Sequence, residues 1–136
     1  MADNIMLEVV TPDKAVVSEE VQMVVAPGLV GEFGVLPGHT PFLASLKPGV
    51  LRFKGAGGEE RIFVSSGFAE TLPNKVTVLV ESAERRTDID VARAKAAMER
   101  AQKRLSGLGA EKEALDTARA RAAMERAFHR LRLAQS

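Results

Sequence analysis

The chain has 136 residues, of which 46% are hydrophobic and 27% charged, and this composition is typical of one soluble domain or two small modules. We find no apolar run near the roughly 20 residues that a membrane-spanning helix needs, and we expect no signal peptide at Met1–Asn4. Cysteine, tryptophan and tyrosine are absent, which excludes disulfides and thiolate metal sites and disfavours aromatic recognition of single-stranded nucleic acid.

The net charge of +1 hides an asymmetry between the two parts of the chain. Residues 1–83 contain 6 Lys/Arg and 10 Asp/Glu, a net charge of −4, whereas residues 84–136 contain 13 Lys/Arg and 8 Asp/Glu, a net charge of +5. The periodicity of apolar residues changes at the same place. We therefore predict a module boundary near Ala83–Asp88, with a first domain over 1–84 and a second over 88–134.

The first domain reads as a series of short strands. Ile5, Leu7 and Val9 alternate with their neighbours, as in a half-buried strand, and a glycine-rich connection between two further runs indicates a β-hairpin. The predicted strands after the first are Val16-Val17, Val21–Val25, Phe42–Leu46, Val50–Phe53, Arg61–Val64, Ser66–Leu72 and Val76–Glu81. Even spacing of this kind predicts an antiparallel β-sandwich or flattened barrel.

One stretch of this domain, Gly31–Pro41, has three glycines and two prolines in eleven residues. Glycine permits positive φ and proline fixes φ, so we predict a specifically shaped loop here, entered after a break at Pro27-Gly28. Loops on rigid scaffolds often carry contacts or chemistry.

The second domain is rich in strong helix formers. Thr87 followed by Asp90 resembles a capping box, and Ser106–Gly109 is expected to end the first helix. A second helix is predicted from about Glu111 to Leu133, which gives an antiparallel two-helix hairpin. The predicted apolar stripes are Val91, Ala94, Met98, Ala101, Leu105 and Leu108 on the first helix, and Thr117, Ala120, Met124, Ala127, Leu131 and Ala134 on the second.

The two helices are near copies, because residues 89–105 match residues 115–131 at 12 of 17 positions. Either shared ancestry or convergent alanine-rich composition explains the match. An alanine seam buries little apolar area, and short helices are marginal alone. We therefore expect the hairpin to be able to leave a docked position and extend along a partner.

The candidate chemical groups are few. The sequence has no nucleophile elbow, phosphate-binding loop or zinc motif, and its two histidines lie in different modules. Glu32 and His39 could in principle form a base and acid pair across one loop, but a contact role for Glu32 and a loop-fixing role for His39 are favoured.

Arginines form the clearest rows. Arg93, Arg100 and Arg104 share one helix face, and Arg119, Arg126 and Arg130 repeat the spacing. One interpretation is a solvated face paired with Glu99 and Glu125, and a second is an anion site that forms when the hairpin folds, since guanidinium groups match phosphate oxygens. Duplex nucleic acid is a weaker third interpretation, because the excess charge is modest.

The chain resembles the ε subunit of bacterial F-type ATP synthases over its whole length. The residues that carry the resemblance are the loop sequence from Gly31, Gly-Glu-Phe-Gly-Val-Leu-Pro-Gly-His-Thr-Pro, and Leu7–Pro12. Members of that family are similar in having a β-sandwich followed by a helical hairpin. Some bind ATP through an Ile/Leu-Asp-x-x-Arg-Ala motif, which here is Ile89–Ala94. The resemblance implies that the base and ribose of ATP would lie against Glu84, Ile89, Asp90, Arg93 and Ala94, and the phosphates against Arg100, Arg119, Arg126 and Arg130.

The resemblance also implies partners. The sandwich would bind the γ subunit and the c-subunit ring, with Glu32, Phe33, Gly34, Val35 and Leu36 facing the c ring and His39 near γ. The extended hairpin would reach the catalytic α/β head and brake ATP hydrolysis, with ATP as a possible regulatory ligand and no required cofactor or metal.

The implied protein is a non-catalytic rotor subunit, held on the cytoplasmic side of the bacterial inner membrane only through the complex. The alternative is a free-standing cytoplasmic adaptor, or a nucleic-acid-binding sandwich with a basic helical arm.

Overall fold

The computed structural model describes residues 4–107 and 114–136. Nine strands are followed by a 3-10 turn (Arg86–Asp88) and by two helices, α1 (Val91–Ser106) and α2 (Ala114–Gln135). The strands are β1 (Ile5–Val10), β2 (Ala15–Gly28), β3 (Gly31–Val35), β4 (Phe42–Leu46), β5 (Gly49–Gly55), β6 (Gly58–Val64), β7 (Gly67–Leu72), β8 (Lys75–Val80) and β9 (Ala83–Arg85). This architecture confirms the predicted fold class.

The strands close into a flattened barrel. Hydrogen bonding runs from β1 through β8, β7, β4 and β2 and back to β1, while β5, β6 and β9 extend from β2 on its other edge. One pairing differs from the antiparallel prediction, because β1 and β8 run parallel, with Met6 opposite Lys75 and Val10 opposite Leu79. The alternation within a strand shows which face is buried but carries no information on the direction of its neighbour.

Apolar residues fill the space between the two walls of the barrel. Ile5, Leu7 and Val9 on β1 are fully buried, as the alternating pattern of this strand predicted. Leu51 and Phe53 of β5 are also fully buried in the same core. The barrel therefore has its own hydrophobic core, independent of the helices.

The predicted break at Pro27-Gly28 is wrong. β2 is a single strand of 14 residues that runs through both positions, and the two short strands predicted earlier belong to it. Pro27 has no N–H to donate, but its carbonyl accepts a hydrogen bond from the Lys47 N–H at 3.0 Å. A side chain at Gly28 would place its Cβ 2.5 Å from the Gly31 carbonyl oxygen, so glycine permits the tight turn that follows.

The Gly31–Pro41 stretch is likewise part strand and part loop. Its first half is β3, which pairs with the end of β2 from Val24–Val35 to Gly28–Gly31. Gly31 and Gly38 have positive φ, 140° and 84°, as expected where the chain turns sharply. The special backbone predicted for this stretch is thus found only at Gly31, where the stretch begins, and in its second half, after β3.

The start of the first helix also differs from the prediction. Thr87 lies in the 3-10 turn, and the N-cap is Asp90, whose Oδ1 accepts a hydrogen bond from the Arg93 N–H at 3.0 Å. Ile89 is extended and nearly fully buried, packed with Phe63 and Leu133. Because Ile89 must face the sandwich, the helix cannot begin until the next residue. The prediction of a capping box that begins at Thr87 is therefore wrong. The short strand β9, which precedes the 3-10 turn, was not predicted.

The helices pack along buried alanines, Ala94 and Ala101 on α1 and Ala120 and Ala127 on α2, which confirms the centre of both predicted stripes. Val91, the first member of the first stripe and the first residue of α1, is instead exposed. Leu108, the last member of that stripe, and the predicted start of α2 at Glu111 lie outside the described residues.

Candidate functional site

The two arginine rows flank the same side of the hairpin. At roughly 100° per residue, each row lies about 90° from the buried alanines of its own helix, in the same rotational sense. Because the helices run antiparallel, both rows end on one face. Arg93, Arg100 and Arg119 are exposed and Arg126 is half-buried.

No ion pair joins any of these four arginines to a carboxylate among the residues that the structure describes. The interpretation of a face neutralised by Glu99 and Glu125 is therefore not what the described side chains show. A face with several unneutralised guanidinium groups is suited to an anion that can accept from more than one of them.

Arg130, the last member of its row, has a different environment. Its Nε donates to Glu84 Oε1 at 2.6 Å and its Nη2 donates to Ser82 Oγ at 3.3 Å. Its guanidinium carbon lies 4.4 Å from the centroid of the Phe63 ring, within the range of a cation–π interaction. We call this arrangement the latch, because it joins α2 to β9, to the connection before β9 and to β6.

The latch brings together two residues that the resemblance placed at opposite ends of a nucleotide. Glu84 was expected near the base and ribose, and Arg130 near the phosphates. In this structure they neutralise one another, and both side chains are only about one quarter exposed, at 26% and 24%. A nucleotide that used both groups would have to replace this ion pair.

Three further residues of the implied nucleotide site have structural roles. Ile89 is buried with Phe63 and Leu133, Ala94 is buried in the helix seam, and Asp90 caps α1. Asp90 remains exposed at the surface. The nucleotide site implied by the resemblance stays a prediction.

The hairpin meets the sandwich through a small apolar contact. We call it the docking cluster; it consists of Phe63, Ile89 and Leu133, with Val50 and Ala134 packed against them. The main contacts of the hairpin with the sandwich come from α2, which packs on β5 and β6, while α1 packs chiefly on α2. Docking thus depends on the last turns of one helix and on the latch.

The residues implied to meet the c ring are spread over β3 and the turn after it. Glu32 is exposed and lies 3.8 Å from the Arg52 guanidinium, and Leu36 is 57% exposed. Phe33 is half-buried against Phe42, and Gly34 is exposed. The Val35 side chain is fully buried in the barrel core, so it supports the segment from inside and cannot face a partner.

His39 fixes the second half of the loop. Its Nδ1 lies 2.9 Å from the Thr40 carbonyl oxygen, and its ring packs edge-on against Phe42, with centroids 5.1 Å apart. No hydrogen bond or ion pair joins Glu32 to His39 among the contacts of the described residues. The structure therefore does not form the acid and base pair that an enzyme would need here.

Two exposed apolar surfaces were not predicted. The β2–β3 turn presents Leu29 and Val30, which are 63% and 102% exposed. On the outer wall of the barrel, Leu43, Phe68 and Leu79 of β4, β7 and β8 are each more than half exposed, and Phe68 lies directly opposite Leu79. The sequence signal that could have revealed the second surface is an apolar residue at outward-facing positions of strands in which apolar and polar residues otherwise alternate.

Comparison with known proteins agrees with this architecture. The family model described as ATP synthase, Delta/Epsilon chain, beta-sandwich domain matches residues 4–86, and the model for the long alpha-helix domain of the same chain matches residues 87–135. The two matched regions correspond to the barrel and to the hairpin with its preceding turn.

Curated relatives share much of the sequence. An ATP synthase epsilon chain from Desulfatibacillum aliphaticivorans is 69% identical over 106 residues, which are 77% of this chain and 75% of that protein. One from Desulfosudis oleivorans is 64% identical over 106 residues, 77% of this chain and 80% of that protein.

A solved structure shares the fold at low sequence identity. A chain of the Euglena gracilis mitochondrial ATP synthase, in a complex of OSCP, F1 and c-ring, superposes with a TM-score of 0.79 at 24% identity, covering 98% of this chain and 82% of that one.

Neither described helix is both long and apolar enough to cross a bilayer. Membership of the family replaces the alternative of a free-standing adaptor. The sandwich, the hairpin and the sequence relatives together show that the chain belongs to the epsilon chains of F-type ATP synthase, non-catalytic subunits of the central stalk.

Proposed function

We propose that the chain couples the γ subunit to the c ring through its sandwich and regulates ATP hydrolysis through its hairpin. The observation that carries the regulatory part is the limited docking contact. One small cluster and one latch join α2 to a barrel that has its own complete core. A module attached in this way can detach without disrupting the rest of the fold.

Two surfaces of the sandwich support the coupling role. The β2–β3 turn combines the exposed apolar side chains of Leu29 and Val30 with the neighbouring Glu32 carboxylate, and Leu36 is exposed beyond the other end of β3. Such a segment suits docking on the polar loops of the c ring. On the outer wall, Leu43, Phe68 and Leu79 are exposed and Phe68 lies directly opposite Leu79, and these apolar side chains offer a contact for γ. Exposed apolar patches of this kind often mark protein–protein contacts.

The brake works by a population shift. In the docked state, α2 covers Phe63 and the hairpin stays away from the head. In the extended state, the hairpin lies along γ and reaches the catalytic α/β head, where it blocks hydrolysis. A ligand shifts this equilibrium only by its differential affinity for the two states. ATP bound to the arginine face of the docked form would therefore relieve the brake when ATP is plentiful.

Removal of residues 88–136 tests the brake. The truncated chain keeps the barrel and its core, so we expect assembly with γ to be unchanged and ATP hydrolysis by the complex to rise. Hydrolysis that stays at the level of the full-length complex would contradict the brake.

A titration of the isolated chain with ATP, with and without magnesium, tests the nucleotide part separately. Arg126→Ala should weaken saturable binding by roughly tenfold, because one charge-assisted hydrogen bond to a phosphate is lost. Lys103→Ala, on the exposed surface of α1, is the matched control and should bind like the parent. Absence of binding up to millimolar ATP, or equal losses in both variants, would contradict an ATP site on the arginine face.

The proposed location follows from the assembly. The chain would be held on the cytoplasmic side of the bacterial inner membrane through the c ring and γ, without direct contact with lipid. Co-sedimentation with membranes that is lost when γ is absent would support this location, and sedimentation that persists without γ and the c ring would contradict it.

A further inference from the structure

A cleft of about 410 Å³ lies between the C-terminal turns of α2 and the sandwich. It shares no residue with the arginine rows. Its floor includes Pro27, Pro48 and Leu133, which are buried. The basic side chains that line it are Lys47, Arg52, Arg61, His129 and Arg132, and the single acidic one is Glu32.

The basic groups of the cleft come from both modules and repel one another. Arg52 and Arg61 are directly opposite across β5 and β6, a placement of like charges that destabilises a sheet. Burial has the largest effect on the pKa of His129 and lowers it, Glu125 raises it, and Arg132 and Lys47 lower it. Lys47 of the β4–β5 connection therefore lies close to the last turns of α2.

Carboxylates of the described residues neutralise the basic side chains of the cleft only weakly. The Arg52–Glu32 and Arg61–Glu59 pairs are long, at 3.8 and 3.7 Å, and solvent-exposed. Lys47 and Arg132 have no carboxylate within ion-pair distance among the described residues. A concave site in which basic side chains outnumber the one acidic side chain, over an apolar floor, concentrates anions, because low-dielectric walls focus the field.

We propose that this basic cleft is a binding site for a phosphate-bearing anion, which bridges the sandwich and the end of α2. Guanidinium and ammonium groups are the usual partners of phosphate oxygens, and the volume lies in the range of small-molecule sites. Because Lys47, Arg52 and Arg61 belong to the sandwich while His129 and Arg132 belong to α2, the complete site exists only when the hairpin is docked. The anion would therefore stabilise the docked state.

Titration of the full chain with inorganic pyrophosphate tests this proposal, at an ionic strength held constant with sodium chloride. We expect saturable binding that Lys47→Gln and Arg132→Gln each weaken by roughly tenfold, since each removes one charge-assisted hydrogen bond. Lys103→Gln, on exposed α1, removes the same charge outside the cleft and should leave the affinity unchanged.

The imidazole of His129 supplies a second readout that does not depend on the variants. The chain has only two histidines, so His39→Gln assigns the His129 resonance in a nuclear magnetic resonance titration. A bound phosphate should raise the pKa of His129, because an anion stabilises the imidazolium. An unchanged pKa at saturating pyrophosphate would overturn the proposal.

The source of the phosphate is decided by a second arm with vesicles of phosphatidylglycerol. Vesicle binding that Lys47→Gln and Arg132→Gln abolish assigns the site to a lipid headgroup, whereas pyrophosphate binding without vesicle binding assigns it to a free anion. Pyrophosphate binding that Arg119→Gln abolishes, and that the two cleft variants retain, would place the anion on the arginine rows and overturn the proposal.

Discussion

Arg130 links α2 to the sandwich through the latch. It combines an ion pair with Glu84, a hydrogen bond to Ser82 and a cation–π contact with Phe63 at a site that is about one quarter exposed. Partial burial matters, because removing one partner leaves the other charge poorly hydrated. The same arginine at an exposed position of its row would contribute little.

A double-mutant cycle on the latch measures this contribution. Glu84→Ala and Arg130→Ala should show a coupling free energy of about 1 kcal/mol or more in unfolding by denaturant, and each should lower hydrogen-exchange protection of α2. The control is the Glu8–Lys75 pair of the barrel, which is longer, at 3.4 Å, and more exposed, and should couple by less than about 0.5 kcal/mol. Equal coupling in the two pairs would contradict the importance of the latch.

We predict that His129 makes docking depend on pH. Burial lowers its pKa from the usual 6.5, and Arg132 and Lys47 lower it further, against a rise from Glu125. Glu32, Arg52 and Arg61 line the same cleft. The docked state therefore disfavours the imidazolium, whereas the undocked state binds a proton with an ordinary pKa. The docking free energy is complete above about pH 6.5 and falls as the pH drops below that value.

The free energy of unfolding of the full chain, measured between about pH 7.5 and pH 5.5, should accordingly decrease toward acid. His129→Gln should flatten this part of the profile, while His39→Gln, at a half-buried site in the loop, should retain it. A profile that is equally steep with and without His129 would show that other groups cause the pH dependence.

At the scale of elements, the alanine seam determines how the hairpin folds. Ala94, Ala101, Ala120 and Ala127 let the helix backbones approach closely but bury little apolar area for their length. The hairpin is therefore a defined unit whose stability is modest, which agrees with the proposed exchange between a docked and an extended state.

Enlarging one seam residue tests this packing. Ala127 is buried and Ala118 is exposed on the same helix. Ala127→Leu should destabilise the helix pair by about 1–3 kcal/mol through overpacking, seen as faster amide exchange in both helices. Ala118→Leu adds the same side chain to the outer surface and should change exchange little; equal effects would mean that the seam is not closely packed.

The elements themselves were largely predictable, because their signals are local. Alternation identified the strand Ile5–Val10, and helix-forming composition identified both helices. What could not be predicted depends on distant partners. The parallel pairing of β1 with β8 closes the barrel between the first and the eighth strand, and β9 forms because β6 offers an edge to it.

The candidate site shows the same division between local and distant information. The spacing of the arginines correctly indicated two rows on helix faces, and helical geometry places them together. The pairing of Arg130 with Glu84 was not predictable, because those residues are 46 apart in sequence. The burial of Ile89 in the docking cluster likewise depends on Phe63 and Leu133. Because of this tertiary contact, the N-cap of α1 is Asp90 and not the predicted Thr87.

At the scale of the whole molecule, an acidic barrel with a closed core carries a basic hairpin on a small contact. Docking therefore contributes only a modest free energy, and a ligand or a partner subunit of ordinary affinity is able to shift the equilibrium. In the proposed mechanism, anions on either the arginine face or the basic cleft favour the docked form, and γ favours the extended form.

The most direct test of this account fixes the hairpin in the docked state within the assembled ATP synthase. The chain lacks cysteine, so a Glu84→Cys/Arg130→Cys variant joined by a short bismaleimide links α2 to the sandwich at the latch. Each single variant treated with the same reagent is the control. The account predicts that the linked complex hydrolyses ATP as fast as one lacking residues 88–136, while the controls stay inhibited. A linked complex that is as inhibited as its controls would contradict the account, because the brake would then not require the hairpin to leave the sandwich.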